Sequence, residues 1–279
     1  MMVAFREDIV SDLRNVYLMF RFEMLKQVKR RRMLMVIILA ILLPLIFYVV
    51  PPAFAIDYPD TALSFASQNL GFITLLIIIS GAIFAGDAIT AEFEKKTGLL
   101  LFPSPQRGST IFVGKYIAAV MATFIVVTLY YLITVLEMAQ VYGGDSVTDA
   151  MLKSYLLALI YSAAVVSIIY FLSAILSKSI TASILGFFLL MMILPIITSV
   201  ISMVDVDPWW SVTHSAGLTT DVLGVGSGGG FGPGEHGPVD EGFGTGFSPD
   251  FYVGTAVMVA YAIGFFIAAV IFATRRRME

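Results

Sequence analysis

The sequence contains no cysteine, only two histidines, and no lysine or arginine between residues 205 and 250. Without cysteine there is no disulfide framework, no thiolate metal site and no thiol nucleophile, and the redox compartment is left open. Charge is scarce as well. Charged side chains make up 13% of the chain and hydrophobic ones 58%, whereas a soluble domain is about a quarter charged. An ordinary soluble domain is excluded, and no nucleic-acid partner is expected.

Catalytic equipment is equally thin. His214 and His236 lie twenty-two residues apart in one loop with no neighbouring ligand set, so neither a metal site nor a metal cofactor is expected. There is no His-Glu-x-x-His and no Gly-x-Ser-x-Gly, and no acid pair is placed across two apolar runs, so hydrolysis has no visible machinery. The stretch from Gly108 to Lys115 approaches a phosphate-binding loop. Its glycines are one residue too far apart, however, and Tyr116 stands where a Ser or Thr would hold magnesium. The chain is expected to be no enzyme, with no cofactor or nucleotide site of its own. Met191, Met192 and Met203 would suit Cu(I) as soft ligands, but filling the bilayer accounts for them.

What is present is grease in blocks. Six apolar stretches, at residues 33–50, 70–91, 116–136, 155–176, 180–203 and 251–273, are each about as long as a helix needs to span a hydrocarbon core of about 30 Å, and none contains Lys or Arg. No long alternating run suggests a barrel. The expected fold is an all-α membrane protein with six transmembrane helices across residues 33–273. An apolar run after a basic segment that ends near Ala53-Phe54-Ala55 has the outline of a signal peptide. The preceding thirty-two residues carry four acids and a helical periodicity of their own, so the first span is expected to stay.

The charges sort by side. Basic residues occupy the segment before the first span, the connection after the second (Lys95, Lys96, Arg107, Lys115), Lys178, and Arg275 to Arg277, with Lys153 the exception. Asp57, Asp60, Glu137, Asp145 and Asp149 fall in the alternate loops, and seven acids fall in residues 205–250. By the positive-inside rule, both termini and the short basic tail 274–279 face the cytoplasm, and the acidic loops face outward.

Four segments add detail. Residues 1–32 carry Phe5, Ile9, Leu13, Val16, Tyr17, Phe20, Met24 and Val28 at steps of three and four, which predicts an amphipathic helix lying in the inner interface. In residues 92–107, Gly98 ends a helix, Pro103 and Pro105 force a turn, and Leu99 to Phe102 are left at the cytoplasmic surface, a patch that a bound cytosolic protein or else the membrane interface would cover. Asp87 is the one acid inside a span. It either lines a path or pairs with a basic residue at the inner interface. Pro195 predicts a kink or hinge whose freed carbonyls Thr198 or Ser199 would satisfy. The extracytoplasmic loop 204–250 opens with Trp209 and Trp210, suited to an interface. Val212, Ala216, Thr219 and Leu223 follow at helical spacing, and then a glycine-rich acidic tract from residue 224. That tract is a possible site for an external partner.

With these pieces in place, the chain resembles the type-2 ABC transporter permeases over nearly its whole length. The most specific part is the segment after the second span: Glu92 and Glu94, then Thr97-Gly98-Leu99-Leu100, then Ser104-Pro105, Arg107 and Gly114-Lys115, in the family's order. The resemblance implies a transport subunit of exporter type in the cytoplasmic membrane of a prokaryote. It also implies that Glu92, Glu94, Thr97, Gly98, Leu99, Leu100, Pro103, Pro105 and Arg107 form a coupling helix docked on a separate ATP-binding-cassette subunit, which carries the ATP and Mg. A second permease, identical or related, would complete the path along spans two and five. Two other readings stand beside it: a membrane anchor or assembly factor, and an ion-coupled carrier using Asp87.

Overall fold

The computed structural model describes residues 2–94, 108–224 and 247–276, and among them every regular element is a helix. Helix α1 (Met2–Lys29) is separated from α2 (Arg31–Ala53) by the single extended residue Arg30. α3 (Ala62–Leu70) is capped at its start by the Thr61 hydroxyl, which accepts from Ser64 N at 3.2 Å, and runs through Gly71 and Phe72 into α4 (Ile73–Ala85). A turn at residues 86–89 leads to the short α5 (Thr90–Glu94). Then come α6 (Gly108–Tyr142), α7 (Asp149–Ile175), α8 (Ser179–Phe188), a π-helical turn at Leu189–Ile193, and α9 (Leu194–Ser202). The loop helices α10 (Val212–Ser215) and α11 (Leu218–Asp221) precede the last long helix, α12 (Phe251–Arg276).

Among the described residues, six segments are long and apolar enough to cross a membrane: Arg31–Ala53, Ala62–Ala85, Ser109–Tyr142, Asp149–Ile175, Ser179–Ser202 and Phe251–Arg275. Burial ranks them. The second and fourth are 67% buried within the protein, whereas the first, fifth and sixth are between 17% and 22% buried, so α4 and α7 form the centre and α2, α8–α9 and α12 its periphery. Exposed Ile, Leu and Phe on the outer helices suit a hydrocarbon solvent.

Small residues let the central helices approach. A Cβ on Gly81 would meet Val165 Cγ1 at 3.0 Å, and one on Gly186 would meet Ile169 Cγ1 at 3.0 Å. Without an aqueous driving force between helices, such close contact is how membrane helices adhere.

The boundaries differ from those read from hydropathy. The second span begins at Ala62, and its helix ends at Ala85, short of Asp87. The third span's helix covers Lys115 and Glu137, taken above as a cytoplasmic flank and an outer-loop acid, yet Lys115 and Glu137 are 2% and 5% exposed. Hydropathy stops at a polar residue, whereas a helix continues wherever protein neighbours satisfy one. Helices α10 and α11 do carry the predicted spacing. Val212, Ala216, Thr219 and Leu223 are buried, and Trp209 is exposed.

Candidate functional site

The chain leaving the second span enters a polar corner. Asp87 stands in the turn after α4, its side chain 10% exposed, and its Oδ2 accepts from Arg30 Nη1 at 2.7 Å and from Arg32 Nη1 at 3.0 Å. Arg30 is where α1 breaks and Arg32 opens α2, so both guanidinium groups come from one joint. One carboxylate against two guanidinium groups leaves this cluster one positive charge in excess. The sequence offered two alternatives for Asp87, and the basic partners are now named.

The same joint holds the third span. Glu23 Oε1 accepts from Lys115 Nζ at 2.6 Å and Glu23 Oε2 from Lys26 Nζ at 3.0 Å. Burial opposes ionisation of Glu23, but the Lys115 and Lys26 charges and their hydrogen bonds outweigh it and hold the carboxyl below its ordinary value of 4.5. α1 lies along α6 closely enough that a Cβ on Gly114 would meet Met19 Cβ at 2.8 Å. Of the stripe predicted on α1, Val16, Phe20 and Met24 are half-buried and Leu13, Tyr17 and Val28 are exposed.

The turn after Asp87 is also stitched to the fourth and fifth spans. Ser173 Oγ accepts from Ile89 N and Thr90 N, both at 3.2 Å, and Thr90 Oγ1 donates to Ser179 Oγ at 3.1 Å. Glu94 Oε2 then accepts from Ser179 N at 3.1 Å and Ser179 Oγ at 2.7 Å. A carboxylate at the first turn of α8 meets unsatisfied amides and the positive end of the helix dipole. Glu94 is thus tied to the hairpin between spans four and five. Glu92 lies in the same short helix α5, while Thr97, Gly98, Leu99, Leu100, Pro103, Pro105 and Arg107 lie outside the described residues.

Beside this corner a cavity of about 440 Å³ runs between α4 and α8. Arg32 and Asp87 stand at its polar end, and Ile79, Ile83, Ile184 and Phe187 are among its apolar walls. Further along the fifth span, Pro195 follows the π-helical turn. Proline has no N–H and its ring collides with the carbonyl four residues back, so widening the preceding turn to π geometry removes the clash. The Thr198 hydroxyl donates to the Pro195 carbonyl itself at 2.8 Å rather than to a carbonyl upstream. Thr198 and Ser199 are buried on a helix that is otherwise largely exposed.

Residues 51–215, more than half of the chain, match the family described as ABC-2 family transporter protein. The chain belongs to the ABC-2 transporter family. It is a multi-pass membrane permease of an ABC transporter, a class that works with an ABC ATPase. No curated protein shows significant sequence similarity to it.

Two features of this permease were not legible beforehand. Glu137 was counted with the acids of the outward-facing loops, yet its Oε2 accepts from Asn69 Nδ2 at 2.9 Å in a buried setting. An acid followed within five residues by Tyr142, before the glycines that end the helix, was the available signal. His214, read as a loop histidine with no neighbouring ligand set, is 1% exposed, with Nε2 at 3.7 Å from Asp207 Oδ1. Burial pushes its pKa down, and Asp207 offsets part of that. His236 lies outside the described residues, and among those described no three His, Cys, Asp or Glu gather around a metal-sized space.

Proposed function

We propose that this ABC-2 permease is the membrane half of an ATP-driven exporter in a cytoplasmic membrane. Residues 92–107 are its docking element for a separate ATP-binding-cassette subunit, which holds ATP and Mg. The substrate path runs between two permease copies along α4 and α8–α9, where the cavity beside Asp87 opens. Asp87 and Arg32 set the charge at its inner end, and Pro195 with Thr198 and Ser199 forms the bend of the moving wall. α1 lies in the inner interface as an elbow, and residues 204–250 form the outer loop.

The observation that carries the reading is the bonding around residues 87–94. Asp87 is bound to Arg30 and Arg32, Ile89 and Thr90 to Ser173, and Glu94 to Ser179. A force that reaches Glu94 is therefore passed to the hairpin between spans four and five and, through the turn at residues 86–89, to the joint before the first span. A docking element needs such a connection, and a passive anchor does not.

The test combines charge reversal at Glu92 and Glu94 with serine at Leu99 and Leu100. The expected outcome is a permease that still inserts but no longer co-purifies with its ATPase and no longer transports. Intact association and ATP-dependent transport in that variant would overturn the docking assignment.

A further inference from the structure

At the end of the bundle away from the Asp87 corner, Glu137 is buried with one hydrogen bond and no ion pair among the described residues. Its Oε2 accepts from Asn69 Nδ2, whereas Glu137 Oε1 and Asn69 Oδ1 are both buried without a hydrogen-bond partner. Asn69 is fully buried, and its backbone carbonyl accepts from Tyr130 Oη at 2.5 Å. An ionised carboxylate here would face several kcal/mol of desolvation with one neutral donor to offset it.

Among the described residues the surroundings supply no counter-charge. On its own helix Glu137 has Tyr130, Tyr131, which bonds Ser154, and Tyr142, which bonds the Pro59 carbonyl. The loop before α3 brings Asp57, Asp60 and Tyr58, whose hydroxyl donates to Tyr48 O at 2.8 Å. α11 carries Asp221, and α7 carries Asp149 and the exposed Lys153, which makes no ion pair with Glu137. The described ionisable groups that these elements bring to this end are phenols and acids, and the one basic residue, Lys153, is exposed.

A single proton resolves both orphan atoms. On Glu137 Oε1 it removes the buried charge, and as an O–H it is the donor that Asn69 Oδ1 lacks. Beside the existing Nδ2–H to Oε2 bond, an O–H from Oε1 to Asn69 Oδ1 would make the second bond of the ring that a carboxylic acid forms with a primary amide. We propose that Glu137 is a proton-binding site that is occupied at neutral pH, and that the protonated acid–amide pair latches α6 to α3 at this end of the bundle. The latch opens when the proton leaves, so the contact between the second and third spans follows the pH on that side of the membrane. The inference does not depend on the docking assignment.

Infrared spectroscopy of the purified chain in lipid tests it, because solvated carboxyls are ionised at neutral pH and only a buried acid retains a carbonyl stretch. The expected result is such a band in the parent protein that shifts on exchange into deuterium oxide and disappears in Glu137→Gln. In thermal unfolding the parent loses stability from neutral to alkaline pH. Glu137→Gln, whose amide forms the same two-bond ring, does not. Where Glu137→Gln fails to fold, Asn69→Ser serves in its place and moves the band to higher frequency by removing the acceptor. Absence of any acid carbonyl band from the parent at neutral pH, or a band unmoved by both substitutions, would overturn the proposal.

Discussion

At the residue scale, the decisive groups are charged side chains in places where charge is expensive. Lys115 is 1% exposed at its side chain and its hydrogen-bonded carboxylate, Glu23, sits ninety-two positions earlier. Removing one partner of a buried ion pair costs about 3–5 kcal/mol. Glu23→Ala should therefore lower the thermal unfolding midpoint far more than the double variant Glu23→Leu with Lys115→Met, which removes both charges. The pH dependence has a definite sign. Since the folded carboxyl titrates below its ordinary value of 4.5, the pair's contribution is full above that value and is lost as pH falls through the lower, folded one. Unfolding midpoints followed down an acid series should show a loss in the parent that the double variant lacks. An equal loss in both would mean that Glu23 is not the group responsible. None of this pairing was visible in the sequence. Lys115 read there as a cytoplasmic flank, because composition records that a charge is present but not which helix lies against it.

At the element scale, hydropathy found the six spans because twenty apolar residues in a row have few other uses, and it misplaced their ends for a related reason. Ser67, Asn69 and Glu137 interrupt the apolar count, but neighbouring helices bury them, so α3 and the end of α6 extend the spans beyond the greasy blocks. The kink at Pro195 was legible from one residue's covalent chemistry. The π-helical turn that accommodates it was not, nor was the choice of the Pro195 carbonyl by Thr198. Close helix contact is similarly half-legible: glycines mark where it is possible, and only the fold says where it is used. At Gly86 a Cβ would stand 2.8 Å from Ser183 Cα, a backbone atom that cannot swing aside, whereas at Gly264 no atom lies within 4 Å. Gly86→Val should force α4 and α8 apart and cost about 1–3 kcal/mol of overpacking. Gly264→Ala should be neutral or slightly stabilising. Unfolding midpoints of the two variants in the same detergent give the comparison. A Gly86→Val protein as stable as its parent would mean that the approach of the two helices is not tight there.

At the scale of the whole molecule, the bonds described above divide the bundle into two ends of opposite chemistry. One end gathers Arg30, Arg32, Asp87, Lys115 and the turn into α5, and the other gathers Tyr58, Asn69, Glu137 and Tyr142. The positive-inside rule predicts the first end inside and the second outside, and the docking element proposed at residues 92–107 is of use only on that orientation. The natural absence of cysteine makes this testable with single introduced thiols and no background. Thr61→Cys and Val147→Cys, at exposed positions of the acidic end, should react with a membrane-impermeant maleimide in intact cells. Lys178→Cys, at the hairpin between spans four and five, and Arg275→Cys, at the end of α12, should react only after the membrane is opened. Labelling of Lys178→Cys from outside would turn the bundle over and remove residues 92–107 from the compartment where a soluble ATPase could grip them. The corner around Asp87 would then need another partner, and the proton site at Glu137 would answer to cytoplasmic pH instead.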